Sequence, residues 1–183
     1  MRRLSICYVL MAPLALPGCG AGPQAGGAQV GAYVGGPIRL ECAPFARNLS
    51  GVRLWGPAAD WWWKADGQYL RGSVPQVGSV LVLKRSARLP SGHVAVVTRV
   101  LSRREILVTQ ANWVRNRVSE DQPVIDVSPA GDWSEIRMWW PPANQMGTAE
   151  YSAWGFVRAV RPATREQLAA ATTTAIRMAA AGM

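Results

Sequence analysis

The spacing of apolar and polar positions divides the chain into four stretches. Leu4 to Leu16 (LSICYVLMAPLAL) is a short apolar run directly after Arg2 and Arg3. Positions 20–36 hold seven glycines in seventeen residues and follow no period. From Pro37 to Val160 the pattern predicts helices first and strands afterwards. Cys42 to Leu49 (CAPFARNL) predicts a helix, because Pro44 falls where a first helical turn tolerates proline. Pro57 to Ala65 (PAADWWWKA) predicts a second, with Pro57 near its start and Gly67 near its end. After Gly72 the runs Gly78–Lys84 and Gly92–Leu101 predict strands. A polar break at Ser102-Arg103-Arg104 then leads into Glu105–Asn112, the return arm of a hairpin. Shorter strands are expected at Val124–Val127, Ser134–Trp139 and Trp154–Val160. Helices followed by antiparallel strands describe an α+β domain over residues 37–160. The end of the chain, 161–183, is rich in Ala and Thr. It predicts a marginal helix or a disordered tail with no chemistry of its own.

The first nineteen residues read as an export signal: a charged start, a short apolar core, then small residues in the order of a cleavage site. Leu16-Pro17-Gly18-Cys19 resembles a bacterial lipobox, in which Cys19 becomes the lipidated mature N-terminus; plain signal cleavage is the alternative. Residues 20–36 then serve as a flexible tether. These features place the protein in the cell envelope, lipid-anchored and facing the periplasm, or otherwise secreted. No apolar run reaches the roughly 18 residues of a membrane span.

At 183 residues, 49% hydrophobic and 17% charged, the chain can bury one real core. Its net charge of +9 favours an anionic partner: nucleic acid, a phospholipid surface or an acidic envelope polymer. Residues 37–160 keep 15 Lys and Arg against 10 acids. The export signal and the lack of any recognition motif argue against nucleic acid. One His and three Cys are too few for a Cys/His zinc site, so neither metal nor cofactor is expected.

Cysteine usage points to a site. Cys7 leaves with the signal and Cys19 carries lipid, so Cys42 is the one thiol of the folded part. It opens a predicted helix, where the dipole and free N–H groups favour the thiolate. The single histidine, His93, follows Gly92 and begins the most strand-like segment. Alone, each is more commonly structural; together they suit a nucleophile and its base. Trp61, Trp62 and Trp63 cannot all face one side of a helix. Core packing and a wall for stacking sugar rings both remain open for them. These three tryptophans, Trp113 and Gln110 are the candidate substrate-binding residues.

The segments Glu41-Cys-Ala-Pro-Phe-Ala-Arg47, Gly92-His-Val-Ala-Val-Val97 and Ala111-Asn-Trp113 resemble the successive signatures of the CHAP family, the cysteine, histidine-dependent amidohydrolases/peptidases. Asp126-Val-Ser-Pro129 and Asp132-Trp-Ser134 resemble envelope members of that group. From Cys42 to His93 is 51 residues, and from His93 to Asn112 is 19. The resemblance implies a papain-like α+β fold, with the Cys on an N-terminal helix packed against an antiparallel sheet. It also implies cleavage of peptidoglycan amide bonds, at the sugar–peptide link or within the stem peptide, through a Cys42–His93–Asn112 triad and a thioester. Two positions depart from the family pattern: Glu41 stands where many members have Gln, and Gln110 where many have Glu. An NlpC-type peptidase and a catalytically silent peptidoglycan binder are the alternatives.

The hairpin assigns the third triad member. Centred between Arg103 and Arg104, it pairs residues whose numbers sum to 207, which makes Asn112 a diagonal neighbour of His93. Slipped to a sum of 205, it places Asn112 directly opposite. Either register predicts that Asn112, rather than Gln110, orients His93, its amide oxygen accepting Nδ1–H and leaving Nε2 for the thiol.

Overall fold

A computed structural model describes residues 33–34 and 41–180. The export signal, Cys19 and most of the Gly-rich tether lie outside the described residues. In chain order the elements are β1 (Tyr33–Val34), α1 (Cys42–Ser50), a 3-10 turn (Ala58–Asp60) running into the one-turn α2 (Trp61–Lys64), and β2 (Leu70–Gly72). The longer strands follow: β3 (Val80–Leu83), β4 (His93–Ser102), β5 (Glu105–Ala111), β6 (Val118–Asp126), β7 (Glu135–Trp140) and β8 (Gln145–Arg158). The helix α3 (Arg165–Ala180) ends the described chain.

Six of these strands form a ring. Antiparallel pairing runs from β3 to β4, β5, β6, β7 and β8, and β8 pairs back onto β3. The architecture is therefore a closed antiparallel β-barrel with few helices, and the expected papain-like α+β fold is overturned. The cause lies in the last third of the chain. Its expected short strands are longer: β6 begins at Val118, and β8 spans 14 residues. That length lets β8 pair with β7 through Ser152 and with β3 from Ala153 onward. A register shift in the β3–β8 pair supplies local bending, as bulges do in closing sheets.

The loop from β6 to β7 fixes the closure. Asp126 Oδ1 accepts bonds from the amide and hydroxyl of Ser128, and Asp132 Oδ1 does the same for Ser134. These are the residues of the Asp126–Ser134 motif, and here they hold a turn. Between them Trp133 adopts φ 65° and drops its indole, 2% exposed, into the barrel against Phe156.

Two apolar clusters share the strands by alternation. Leu81, Ala95, Val97, Ile106, Val108, Ile136 and Phe156 fill the barrel. Val80, Val82, Val94, Val96, Ala111 and Val157 face outward, where α1 covers them with Phe45, Ala46 and Leu49. Coverage on both sides explains why β3 is buried at every position instead of alternating. Trp61 is fully buried in the outer cluster. Trp62 stacks on Trp154, and Trp63, 59% exposed, meets the edge of the same indole.

The Ala-rich end joins this core. In α3, Leu168, Thr172 and Ala175 recur at near-helical spacing, and all three are buried. Leu168 and Ala175 pack in the cluster that contains α1. A domain boundary at Val160 thus cuts through packed structure. Leu168→Ala should cost about 2–4 kcal/mol, the usual range for emptying a buried leucine site. Urea unfolding that shows less than about 0.5 kcal/mol would mean α3 is not part of the cooperative unit.

Candidate active site

Cys42 is the first residue of α1, preceded by Glu41 in extended conformation with no side-chain cap on the helix. The first-turn N–H groups thus remain directed at the region of the thiol. Pro44 removes one donor there at no cost, and Phe45 N–H already bonds Glu41 O. Gly51 ends the helix in the left-handed region, its N–H returning to Arg47 O.

His93 opens β4, directly after Gly92 at φ 71°. A Cβ at Gly92 would lie 2.6 Å from the Ala59 methyl and 2.7 Å from Leu83 O, so only glycine lets the chain enter the strand this close. By strand alternation His93 shares the inner face with Ala95 and Val97. Its ring packs 5.1 Å from that of Trp113. Trp113 is itself fixed by Nε1–H donating to Trp139 O at 3.1 Å.

Cys42 and His93 open on one cavity of about 650 Å³, whose walls also include Glu41, Arg47, Trp55, Arg88 and Asn112. The guanidinium of Arg47 lies over the Trp55 ring and donates to Leu54 O. Residues 31–112 match the CHAP domain family. The matched segment carries Cys42, His93 and Asn112, and stops before β6, β7, β8 and α3. No curated protein matches the chain. The match suggests cysteine/histidine-dependent amidohydrolase or peptidase activity of the peptidoglycan-hydrolase type.

The partner of His93 is Gln110. His93 Nε2 and Gln110 Oε1 are 2.9 Å apart, a bond in which the ring nitrogen donates. Gln110 is buried, and its Nε2 has no partner among the described residues, so the histidine is what holds the amide. This corrects two expectations: Gln110 does not line the cavity, and Asn112 does not orient the imidazole. Near the site the β4–β5 register does sum to 205, as in Val96 opposite Thr109 and Val97 opposite Val108. However, β5 ends at Ala111, and Asn112 turns out of the strand at φ 61°. Side-chain alternation fails at that residue. Asn112 Nδ2 donates instead to Glu41 Oε2 at 2.8 Å, while its Oδ1 accepts from Asn116 N–H. With Nε2 engaged, Nδ1 is the nitrogen left for the thiol, the reverse of the expected assignment.

Burial governs the electrostatics. It pushes the Cys42 thiol above its ordinary range, and the Glu41 carboxylate adds to that rise. Hydrogen bonding by the backbone amides of Val94, Ala43 and Cys42 itself opposes it. Burial likewise lowers His93 to about 4, against a smaller opposing effect of Gln110. At neutral pH the pair therefore rests as thiol and uncharged imidazole.

Trp61, Trp62 and Trp63 do not line this cavity. Sequence reasoning missed Arg47, Trp55 and Arg88. Of these only Arg88 carried a signal, as a cation in the polar loop leading to Gly92-His93. Among the described residues no group of three or more His, Cys, Asp or Glu could hold a metal ion.

The folded value of His93 lies below its ordinary 6.5, so between pH 6.5 and about 4 the unfolded chain binds the extra proton. Stability is intact above that window and falls as the pH drops through it, by about 3 kcal/mol in total. Urea unfolding at pH 7, 5.5 and 4 should show this component in the wild type and lack it in His93→Gln. Parallel pH profiles in the two proteins would refute a buried, neutral imidazole.

Proposed function

We propose that the protein is an exported cysteine hydrolase that cleaves amide bonds of peptidoglycan. The observation that carries the reading is the convergence of Cys42, on an uncapped helix start, and His93, on a strand end, at one cavity. His93 Nδ1 accepts the Cys42 proton, and the sulfur forms a bond to the amide carbonyl carbon. N–H groups of the first turn, including that of Cys42, hold the oxyanion. The C–N bond then breaks, and the imidazolium returns its proton to the leaving amine. Water attacks the resulting thioester, giving a carboxylic acid and the free thiol. Gln110 acts as the positioning residue, fixing the ring through Nε2. Its amide adds no negative charge, so it selects a tautomer without stabilising the imidazolium as a carboxylate would. Glu41 and Asn112 bridge helix and strand at the cavity wall.

The raised thiol and depressed imidazole favour a second reading, a catalytically silent peptidoglycan binder. Fragment release from purified sacculi, followed by mass spectrometry, separates the two. The hydrolase reading expects release by the wild type, none by Cys42→Ala, and a loss of about ten-fold or more in kcat for Gln110→Ala. Asn112→Ala should lose much less. Wild-type-like release by Cys42→Ala would end the hydrolase reading, and a larger loss for Asn112→Ala would reverse the positioning roles.

The protein is further proposed to reach the envelope by the signal in residues 1–19 and to be lipidated at Cys19, with residues 20–36 as tether. Intact-mass measurement of the membrane fraction should give a chain beginning at Cys19 with added lipid. A mature chain that starts elsewhere without lipid mass would leave it simply secreted.

A further inference from the structure

We propose that the hollow between α3 and the polar stretch of β4, β5 and β6 binds a small free amino acid, with Glu120 taking its ammonium group and Arg165 its carboxylate. The hollow measures about 210 Å³ and shares no lining residue with the Cys42 cavity. Strand alternation builds its floor. Val94 and Val96 face the cluster that contains α1, and the next outward residue of β4 is Thr98. On β5 the outward Thr109 stands opposite Val96. Along these strands the outer face thus turns from apolar to polar, and α3 roofs the polar part with Leu168, Ala169 and Thr172.

Opposite charges line this hollow without meeting. Glu120 on β6 and Arg165 at the start of α3 both border it, and among the described residues they form no ion pair with each other. Glu120 is the carboxylate left available. Its neighbour Asp121, at φ 47°, is committed: Oδ1 accepts from the Thr98 hydroxyl at 2.6 Å, and Oδ2 accepts from Arg99 at 3.1 Å. The Asp121 N–H donates to Thr109 Oγ1, so both floor threonines fix this piece of backbone. Burial and the Asp121 charge hold the Glu120 carboxyl above its ordinary range, an effect that a cation in the hollow would offset. The roof gives an independent sign of a ligand. Thr173 and Thr174 donate to the carbonyls four residues back, but Thr172, only 5% exposed, makes no hydrogen bond. A buried hydroxyl left unbonded is costly unless an occupant of the hollow bonds it. The walls then select that occupant. A carboxylate and a guanidinium suit a zwitterion, whose ammonium carries three donors and whose carboxylate accepts from the guanidinium fork. Leu168 and Ala169 offer only apolar contact to the rest of the molecule. At about 210 Å³, below the ~300–1,000 Å³ of sites for drug-sized ligands, the space suits an amino acid the size of alanine.

Calorimetric titration of the full chain with L-alanine and with D-alanine tests this, alongside propionate and ethylamine, which keep one charge each. At least one enantiomer should bind, and both one-charge analogues should bind about ten-fold more weakly or worse. Glu120→Gln and Arg165→Gln should each lose about ten-fold in affinity, and the near-isosteric Thr172→Val a few-fold, with thermal unfolding of the free proteins unchanged. Cys42→Ala should bind as the wild type does, so the result is independent of whether the protein is a hydrolase. No binding of either enantiomer, analogues that bind as well as alanine, or full affinity in either charge variant would each overturn the site.

Discussion

The burial of β4 on both faces sets the position of nearly everything that matters in this protein. Ala95 and Val97 point into the barrel, and Val94 and Val96 meet Phe45, Ala46 and Leu49 of α1. Each fully buried valine contributes on the order of 1.5–3 kcal/mol, so neither face can be uncovered without large loss. A strand's two faces are separated by its own backbone. Groups attached to opposite faces can share a space only where the strand ends. His93 is the first residue of β4 and belongs to the inner face, whereas Cys42 belongs to the helix on the outer face. The cavity at the strand end is where the two come together, and Gly92 lets the preceding loop fold back closely enough to shape it.

Burial that positions the pair also sets its charge. Removing the thiol and the imidazole from water disfavours both ionised forms, raising one and lowering the other. Gln110 does not reverse this, because an amide orients a ring without compensating its charge. Glu41 acts in the same direction as burial upon the thiol. The site thus holds its proton on sulfur at rest.

Local sequence was a good guide to where elements begin. Pro44 marked the first turn of α1, Gly92 the entry to β4, and Ser102–Arg104 the turn between β4 and β5. It was a poor guide to how far they extend. The 3-10 turn and single helical turn at residues 58–64 replace a continuous helix, and β6 and β8 outrun the apolar runs that announced them. Their polar stretches are held by ladder bonds to the strand that precedes each of them, which hydrophobic patterning does not register.

The sequence by itself determined the candidate reactive groups: one thiol among the described residues, one histidine, their order, and a likeness to CHAP domains over residues 31–112. The tertiary structure alone decided the closure of the barrel and the partner of the histidine. Closure depends on β7 meeting both β6 and β8, a pairing between segments whose complementarity appears only once Trp133 and Phe156 share an interior. The choice of Gln110 over Asn112 turned on one backbone angle. The register near the site matched one of the two anticipated, but alternation holds only while the chain stays extended, and Asn112 has left the strand to begin the next hairpin.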